Sequence, residues 1–315
     1  MPTLTQIKYL LAVERWRHFG KAAEACHVSQ PTLSMQLQKF EEEYNISFFD
    51  RSKQPILPTR EAEALIAQAK IVMREAEKLD DLCRNRSQEP MGDFRLALIP
   101  TIAPYLLPYF LSAFTAKYPK VNLYIEEMVT EQMIEALESD HLDAGILATP
   151  LGKKSLTEQP LFYEPFWLYV HRQHPLAQKA KISQEMLEPQ DIWLLSEGHC
   201  LRNQIVEICA LRSQPEKFPN LRLESGSLET IVHLIDKGSG YTLLPHLATQ
   251  FIRPQGKALV KALTKPIPSR EVSLVYRRSQ HKRLILEALA QMIQQSLPKD
   301  LPREKGSSLE VVGIS

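Results

Sequence analysis

Two cysteines nine positions apart, Cys200 and Cys209, are the residues of this 315-residue chain best placed for covalent chemistry. The first lies in the run Gly198-His199-Cys200-Leu201-Arg202-Asn203-Gln204. A free thiol has a pKa of about 8.5, so most of it is protonated and unreactive at neutral pH. Here an imidazole, His199, and a permanent cation, Arg202, flank the sulfur. If Ser196 or Gly198 caps the helix that follows, Cys200 falls in its first turn, where the helix dipole favours the thiolate. The pattern predicts an ionised, reactive thiol at Cys200 and a second thiol at Cys209 able to trap whatever the first becomes. The competing reading is two buried small apolar side chains. That reading is kept for Cys26 and Cys83, in the helical core and an apolar seam respectively. The cysteine spacings lack a Cys-x-x-Cys or Cys/His set, so no metal is expected. Gly238 and Gly240 read as a helix end and turn, not a phosphate loop, and no cofactor is expected.

A continuous helix over 200–209 would hold the two thiols about 13.5 Å apart along its axis, at 1.5 Å per residue, and on opposite faces. A disulfide needs Cα atoms within about 7 Å. A bond between them therefore requires this segment to unwind, which makes it a two-state element driven by covalent chemistry.

The elements that must position these residues fall into several parts. The length is a prior for two or more domains. A composition of 44% hydrophobic and 24% charged residues fits a globular protein. The net charge of +1 neither suggests nor excludes a nucleic-acid partner. No stretch reaches the roughly 18 apolar residues of a membrane span, and the N-terminus lacks a secretory pattern. Four cysteines in a chain this long fit reduced thiols in a cytoplasmic setting.

Residues 1–60 read as a winged helix-turn-helix. Leu4, Ile7 and Leu11 recur at helical spacing, and 19–26 is a short small-residue helix. A further helix restarts at Ser29 or Gln30 with Pro31 in its first turn, where a missing N–H costs nothing. Leu33, Leu37 and Phe40 form its apolar face, and residues 54–59 suit a small β wing. This module carries eight Lys/Arg against six Asp/Glu, a surplus of two positive charges. Ser29, Gln30, Pro31, Thr32, Ser34 and Lys39 are candidates to meet DNA, with Arg51 and Arg60 on its phosphates. Residues 61–89 read as a linker helix capped by Thr59. Leu65, Ala69, Val72, Ala76, Leu79 and Cys83 alternate four and three apart, a dimerising coiled-coil seam. Residues 88–92 read as a hinge. From Asp93 strands and helices alternate in parallel βαβ units. Residues 93–164 and 268–300 are assigned to one subdomain and 165–267 to a second that carries the cysteines. Within the second, strands are expected at 166–170, 192–195 and 240–244. The tail 301–315 reads as disordered.

Phe19-Gly20-Lys21-Ala22-Ala23, His27-Val28-Ser29-Gln30-Pro31-Thr32-Leu33-Ser34 and Phe48-Phe49-Asp50-Arg51 resemble the LysR-type transcriptional regulators, and the resemblance spans nearly the whole chain. It implies an α/β chain with a winged helix-turn-helix, a long linker helix and a two-lobed regulatory domain like a periplasmic binding protein. It further implies double-stranded DNA as partner, a homodimer or homotetramer, and contact with RNA polymerase. The 198–204 run, with Cys209 in register, resembles the peroxide-sensing members of that family. So do Ile99-Pro100-Thr101, residues 104–108, Ser227-Leu228-Glu229-Thr230 and 238–245. Asn203 departs from the Asp typical there. In such members a Cys200 thiolate attacks hydrogen peroxide to give a sulfenic acid, which Cys209 condenses to a disulfide. The resemblance places Thr101 and Thr130 near the sulfur, and a cellular dithiol would reset the switch. The chain is then an activator of antioxidant genes and not an enzyme. The rival readings are a LysR-type regulator that binds a small organic effector between its lobes, and a thiol peroxidase.

Overall fold

The computed structural model describes residues 1–84, 89–188, 191–209, 225–252, 254 and 257–313, with the side chains of 74, 77, 78 and 80–84 outside the description. The chain divides into two compact units, Met1–Gln88 and Glu89–Ser315.

The first unit is built from α1 (Leu4–Trp16), α2 (Phe19–Ala25), α3 (Gln30–Tyr44), β1 (Phe49–Asp50), β2 (Leu57–Pro58) and α4 (Arg60–Arg84). Thr3 caps α1 in a reciprocal box with Gln6: Thr3 Oγ1 accepts from Gln6 N at 3.2 Å, and Thr3 N donates to Gln6 Oε1 at 2.9 Å. Leu10, Val13, Ala22, Ala23, Leu33, Leu37, Phe40, Phe48 and Phe49 form the core. The strands pair antiparallel, with Phe49 opposite Pro58, as a short wing. Thr59 Oγ1 accepts from Ala62 N at 3.2 Å and starts α4. The first half of α4 packs on its own module through Ala62, Ile66 and Ala69. Two of the expected seam residues thus have neighbours already: Ala69 is buried, and Leu65 is half-buried against the same core. Ala76 is half-buried. Val72 and Leu79 remain 37% and 64% exposed on the other stripe. The Cys83 side chain lies outside the described residues.

The second unit contains β3 (Gly92–Leu98), α5 (Ala103–Lys117), β4 (Val121–Glu127), α6 (Thr130–Glu138), β5 (Ala144–Thr149), β6 (Leu156–His171), α7 (Cys200–Ile208), α8 (Leu228–Lys237), β7 (Tyr241–Pro245), α9 (His246–Phe251), β8 (Ala258–Ala262), β9 (Ile267–Arg277), α10 (Arg283–Ser296) and β10 (Leu309–Val311). Its strands run in the order β4-β3-β5-β9-β6-β7, with β8 also on β6 and β10 on β9. Among the named strands of the described residues, the β4-β3-β5 end and the β10-β9 pair are parallel. The expectation of parallel units throughout is corrected here. The long strand β9 enters antiparallel between β5 and β6, and β7 and β8 flank β6 antiparallel. β6 and β9 are the longest strands: β9 pairs with β5 over 271–275 and with β10 over 267–269, while β6 carries β7 and β8 along 166–171.

Two further expectations change. The strand expected at 192–195 is a single bridge, Ile192 to Tyr241, held by Trp193 N donating to Tyr241 O at 2.8 Å. The tail is ordered through Gly313 and is not disordered. Leu301 and Val312 are 1% and 6% exposed, and β10 adds to β9 with Leu309 opposite Ile267. Its polar composition hid two buried apolar anchors and a free sheet edge for them to cover.

Candidate functional site

Cys200 is the first residue of α7. Gly198, at φ +88°, turns the chain into the helix, a backbone conformation that favours glycine. The cap is the His199 backbone, with no side-chain cap bond, and not Ser196 or Gly198. The helix runs to Ile208 and ends on Cys209 as its C-cap. Both cysteines are free thiols, each 7% exposed, at opposite ends of one helix.

The sulfur of Cys200 meets three other elements of the second unit. Ala148, on β5, offers it a backbone hydrogen bond, and Thr130, at the start of α6, turns its hydroxyl toward it. From β9 comes the charge of Arg270, a guanidinium 1% exposed. Arg270 is held rigidly. Its Nε and NH2 donate to Glu164 Oε2 at 2.8 and 2.7 Å. NH1 donates to Thr101 Oγ1 and NH2 to Thr101 O, each at 3.1 Å. Glu164 is fully buried, and its other oxygen accepts from Leu247 N at 2.7 Å. The pair is the cross-strand register pair of β6 and β9, so the ladder itself brings the two charges together.

Two polar atoms around the sulfur lack partners. Thr130 Oγ1 is buried and completes no well-formed hydrogen bond among the described residues, and neither does Gln204 Oε1. Gln204 is fully buried one turn beyond Cys200, on the same helix face. Buried polar atoms are ordinarily satisfied, so each of these oxygens keeps unused hydrogen-bonding capacity.

The ionisation balance differs from the expectation. Burial raises the Cys200 thiol above its ordinary range. Arg270, the Thr130 hydroxyl and backbone hydrogen bonds from Leu201 and Ala148 pull it back without reversing the direction. Cys200 therefore rests as a neutral thiol and not as the expected thiolate. Arg202 is not the cation that acts on it. Two residues along a helix point to different faces, and Arg202 turns to Glu197 at 3.8 Å. Burial lowers the His199 imidazole below its usual value, so it is neutral near pH 7. Its Nε2 lies against Gly226, where an added Cβ would stand at 2.9 Å. Burial alone pushes Cys209 up to about 12. Asn203 is exposed. Tyr105 OH, on α5, donates to Glu229 of α8 at 2.6 Å, and Ser227 caps α8, accepting from Thr230 N at 3.4 Å.

Thr101, Thr130 and Cys200 are thus brought together, while Arg202 and Cys209 stand apart. Sequence reasoning missed Arg270, Glu164 and Gln204. The only signal was a charged residue in each of two apolar strands, and it has no meaning until the strands are paired. Among the described residues no group of three His, Cys, Asp or Glu side chains could hold a metal ion. No helix of the described residues is long and apolar enough to cross a membrane.

In the first unit Ser29 caps α3, accepting from Thr32 N at 3.3 Å, and its Oγ lies 2.8 Å from Thr32 Oγ1. Ser29, Gln30, Pro31, Thr32 and Lys39 are exposed, and Ser34 is half-buried. Arg51 is already engaged: it donates to Glu41 at 2.7 Å and lies 5.0 Å over the Phe19 ring. It braces the wing, while Lys53 and Arg60 remain exposed beside it.

Residues 4–63 match the family described as bacterial regulatory helix-turn-helix protein, lysR family, and residues 87–298 match the LysR substrate binding domain. The hydrogen peroxide-inducible genes activator of Haemophilus influenzae is 36% identical over 276 residues, 87% of this chain and 90% of the relative. The DNA-binding transcriptional dual regulator OxyR of Escherichia coli K12 is 35% identical over 291 residues, 92% of this chain and 94% of the relative. A full-length OxyR variant from Pseudomonas aeruginosa superposes with a TM-score of 0.79 at 35% identity, covering 94% of this chain and 98% of that one. A Corynebacterium glutamicum OxyR mutant described as H2O2-bound superposes at 0.61 and 29% identity, covering 94% and 92%.

Proposed function

The chain belongs to the LysR family of bacterial transcription regulators, and from that premise we propose that it is a hydrogen-peroxide-responsive, DNA-binding activator switched by a reversible Cys200–Cys209 disulfide. The observation that carries the reading is a buried thiol facing a fixed cation, Arg270, with two unpartnered polar atoms, Thr130 Oγ1 and Gln204 Oε1, around it. Relatives named hydrogen peroxide-inducible genes activator match 87% and 93% of this chain.

The chemistry follows from that arrangement. Hydrogen peroxide has two O–H donors and two acceptor oxygens, and the orphan atoms match such a ligand. The Cys200 sulfur attacks one oxygen, the O–O bond breaks, and the thiol proton goes to the departing oxygen. Cys200 becomes S–OH and water leaves. Arg270 and the donors around the sulfur favour the thiolate as the proton departs. The Cys209 sulfur then displaces the hydroxyl of Cys200 as a second water, forming the S–S bond. In total two thiols supply two electrons to one peroxide. A dithiol reductant returns both thiols and becomes a disulfide itself.

The remaining roles rest on the same reading. Ser29, Gln30, Pro31, Thr32, Ser34, Lys39 and Arg60 face double-stranded DNA. The exposed stripe of α4 joins two chains, two dimers form a tetramer, and the DNA-bound assembly contacts RNA polymerase in the cytoplasm. The protein consumes peroxide once per switching event and does not turn it over as a peroxidase does.

The test is peptide mapping of thiol states after one equivalent of hydrogen peroxide, with transcription from a bound operator read in parallel. Wild type yields a Cys200–Cys209 peptide and gains activity, Cys209→Ser stops at the sulfenic acid, and Cys200→Ser is inert. A Cys200→Ser protein that still answers peroxide, or a linked peptide that never forms, refutes the reading.

A further inference from the structure

The helix that carries both thiols is fastened at its middle by the end of the chain. Gln204 Nε2 donates to Val312 O at 3.2 Å, in a fully buried position. The partner is a carbonyl, which can only accept, so the amide orientation is settled. Val312 is itself tied down, its N donating to Ser269 O at 2.9 Å on β9. The preceding residues form β10, in register with Ile267, Pro268 and Ser269. Glu310 accepts from Gln184 at 2.7 Å. Gly313 lies over the last turn of α7, where an added Cβ would stand 3.8 Å from Glu207 Oε2. Upstream, Arg303 donates to the carbonyls of Gln294, Leu297, Pro298 and Leu301 and so moors the base of the tail to the end of α10.

Ser269 stands next to Arg270, the cation that faces Cys200. The tail therefore bridges the strand that supplies the charge and the helix that supplies the sulfur. Gln204 lies between the two cysteines, four residues after one and five before the other. A disulfide needs their Cα atoms within about 7 Å, against about 13.5 Å along an intact helix. Forming the bond must unwind part of the segment centred on Gln204, and the tie to Val312 holds that segment in its helical form.

We propose that residues 309–313 are a latch on the redox helix. In the reduced state they hold α7 in its helical form, and forming the disulfide releases them. The latch opposes the second chemical step, in which Cys200 S–OH and Cys209 S–H join with loss of water. It does not oppose the first, which needs no refolding. By linkage, a chain without the latch forms the disulfide more readily.

This inference rests on the disulfide reading above, and one experiment separates the two. Amide hydrogen exchange of the full wild-type chain is followed before and after one equivalent of hydrogen peroxide, with the linkage confirmed by peptide mapping. We expect the 309–312 amides to lose protection as the Cys200–Cys209 bond forms. A bond that forms while those amides stay protected overturns the latch alone. A bond that never forms overturns the redox reading and the latch with it. A chain ending at Ser308 gives the reciprocal measurement. One hydrogen bond of ordinary net worth corresponds to a disulfide step, timed from the sulfenic acid, about two- to ten-fold faster. A folded truncated chain whose disulfide step keeps the wild-type rate overturns the proposal.

Discussion

At Cys200 two opposed effects act on one sulfur. Burial disfavours the charged form, while Arg270, Thr130 and two backbone hydrogen bonds favour it, and burial prevails. The thiol is neutral at rest, which protects it from electrophiles that act on free thiolates. This has a measurable consequence. A thiol raised above its ordinary value gains thiolate only as pH climbs past that value. We expect alkylation of Cys200 by iodoacetamide to keep accelerating above pH 9, where an unperturbed thiol of pKa about 8.5 has begun to level off. A plateau near neutral pH would show a depressed pKa and remove the burial argument. The Arg270–Glu164 pair belongs to this scale too. Both charges are buried and their hydrogen bonds are shared with Thr101 and Leu247 N, so the pair serves by fixing the cation in place and not by adding net stability.

At the scale of the element, α4 shows how one helix serves two partners. Ala62, Ile66 and Ala69 face the helix-turn-helix core, while Val72 and Leu79 lie exposed on another stripe. An exposed leucine contributes little to its own module but about 1.5–3 kcal/mol once buried against another chain. Leu79→Asp should therefore weaken self-association at least about tenfold in sedimentation experiments. It should leave the unfolding free energy of the module within about 0.5 kcal/mol. Unchanged association would place the dimer contact elsewhere. In α7 the element is the switch itself. Its one-turn spacing puts Gln204 beside Cys200, and its length keeps Cys209 away until the helix breaks.

At the scale of the whole molecule, a net charge of +1 conceals a DNA-binding module with a surplus of two positive charges. Binding to an operator should weaken with salt, with a log–log slope near −0.9 for each phosphate neutralised. Lys39→Ala should lower affinity evenly across sequences and reduce the magnitude of that slope by about one, read by fluorescence anisotropy over a salt series. A slope identical to wild type would exclude Lys39 from the phosphate contacts. Within the second unit, Arg270 of β9 is bonded to Glu164 of β6 and to Thr101, and Tyr105 of α5 is bonded to Glu229 of α8.

The sequence by itself determined what local spacing controls. The helix-turn-helix was legible because Ser29, Pro31, Leu33, Leu37 and Phe40 encode cap, first turn and apolar face within a dozen residues. The thiol pair was legible for the same reason, as was the conflict between a helical 200–209 and a disulfide. Tertiary structure alone decided the charge state of the sulfur and the fate of the tail. Arg270 reaches Thr101 across 169 residues of chain and Val312 reaches Gln204 across 108. Electrostatics and burial act through space, so the nearest cation in sequence, Arg202, was the wrong one. A polar tail proved ordered because two apolar side chains and an open strand edge awaited it.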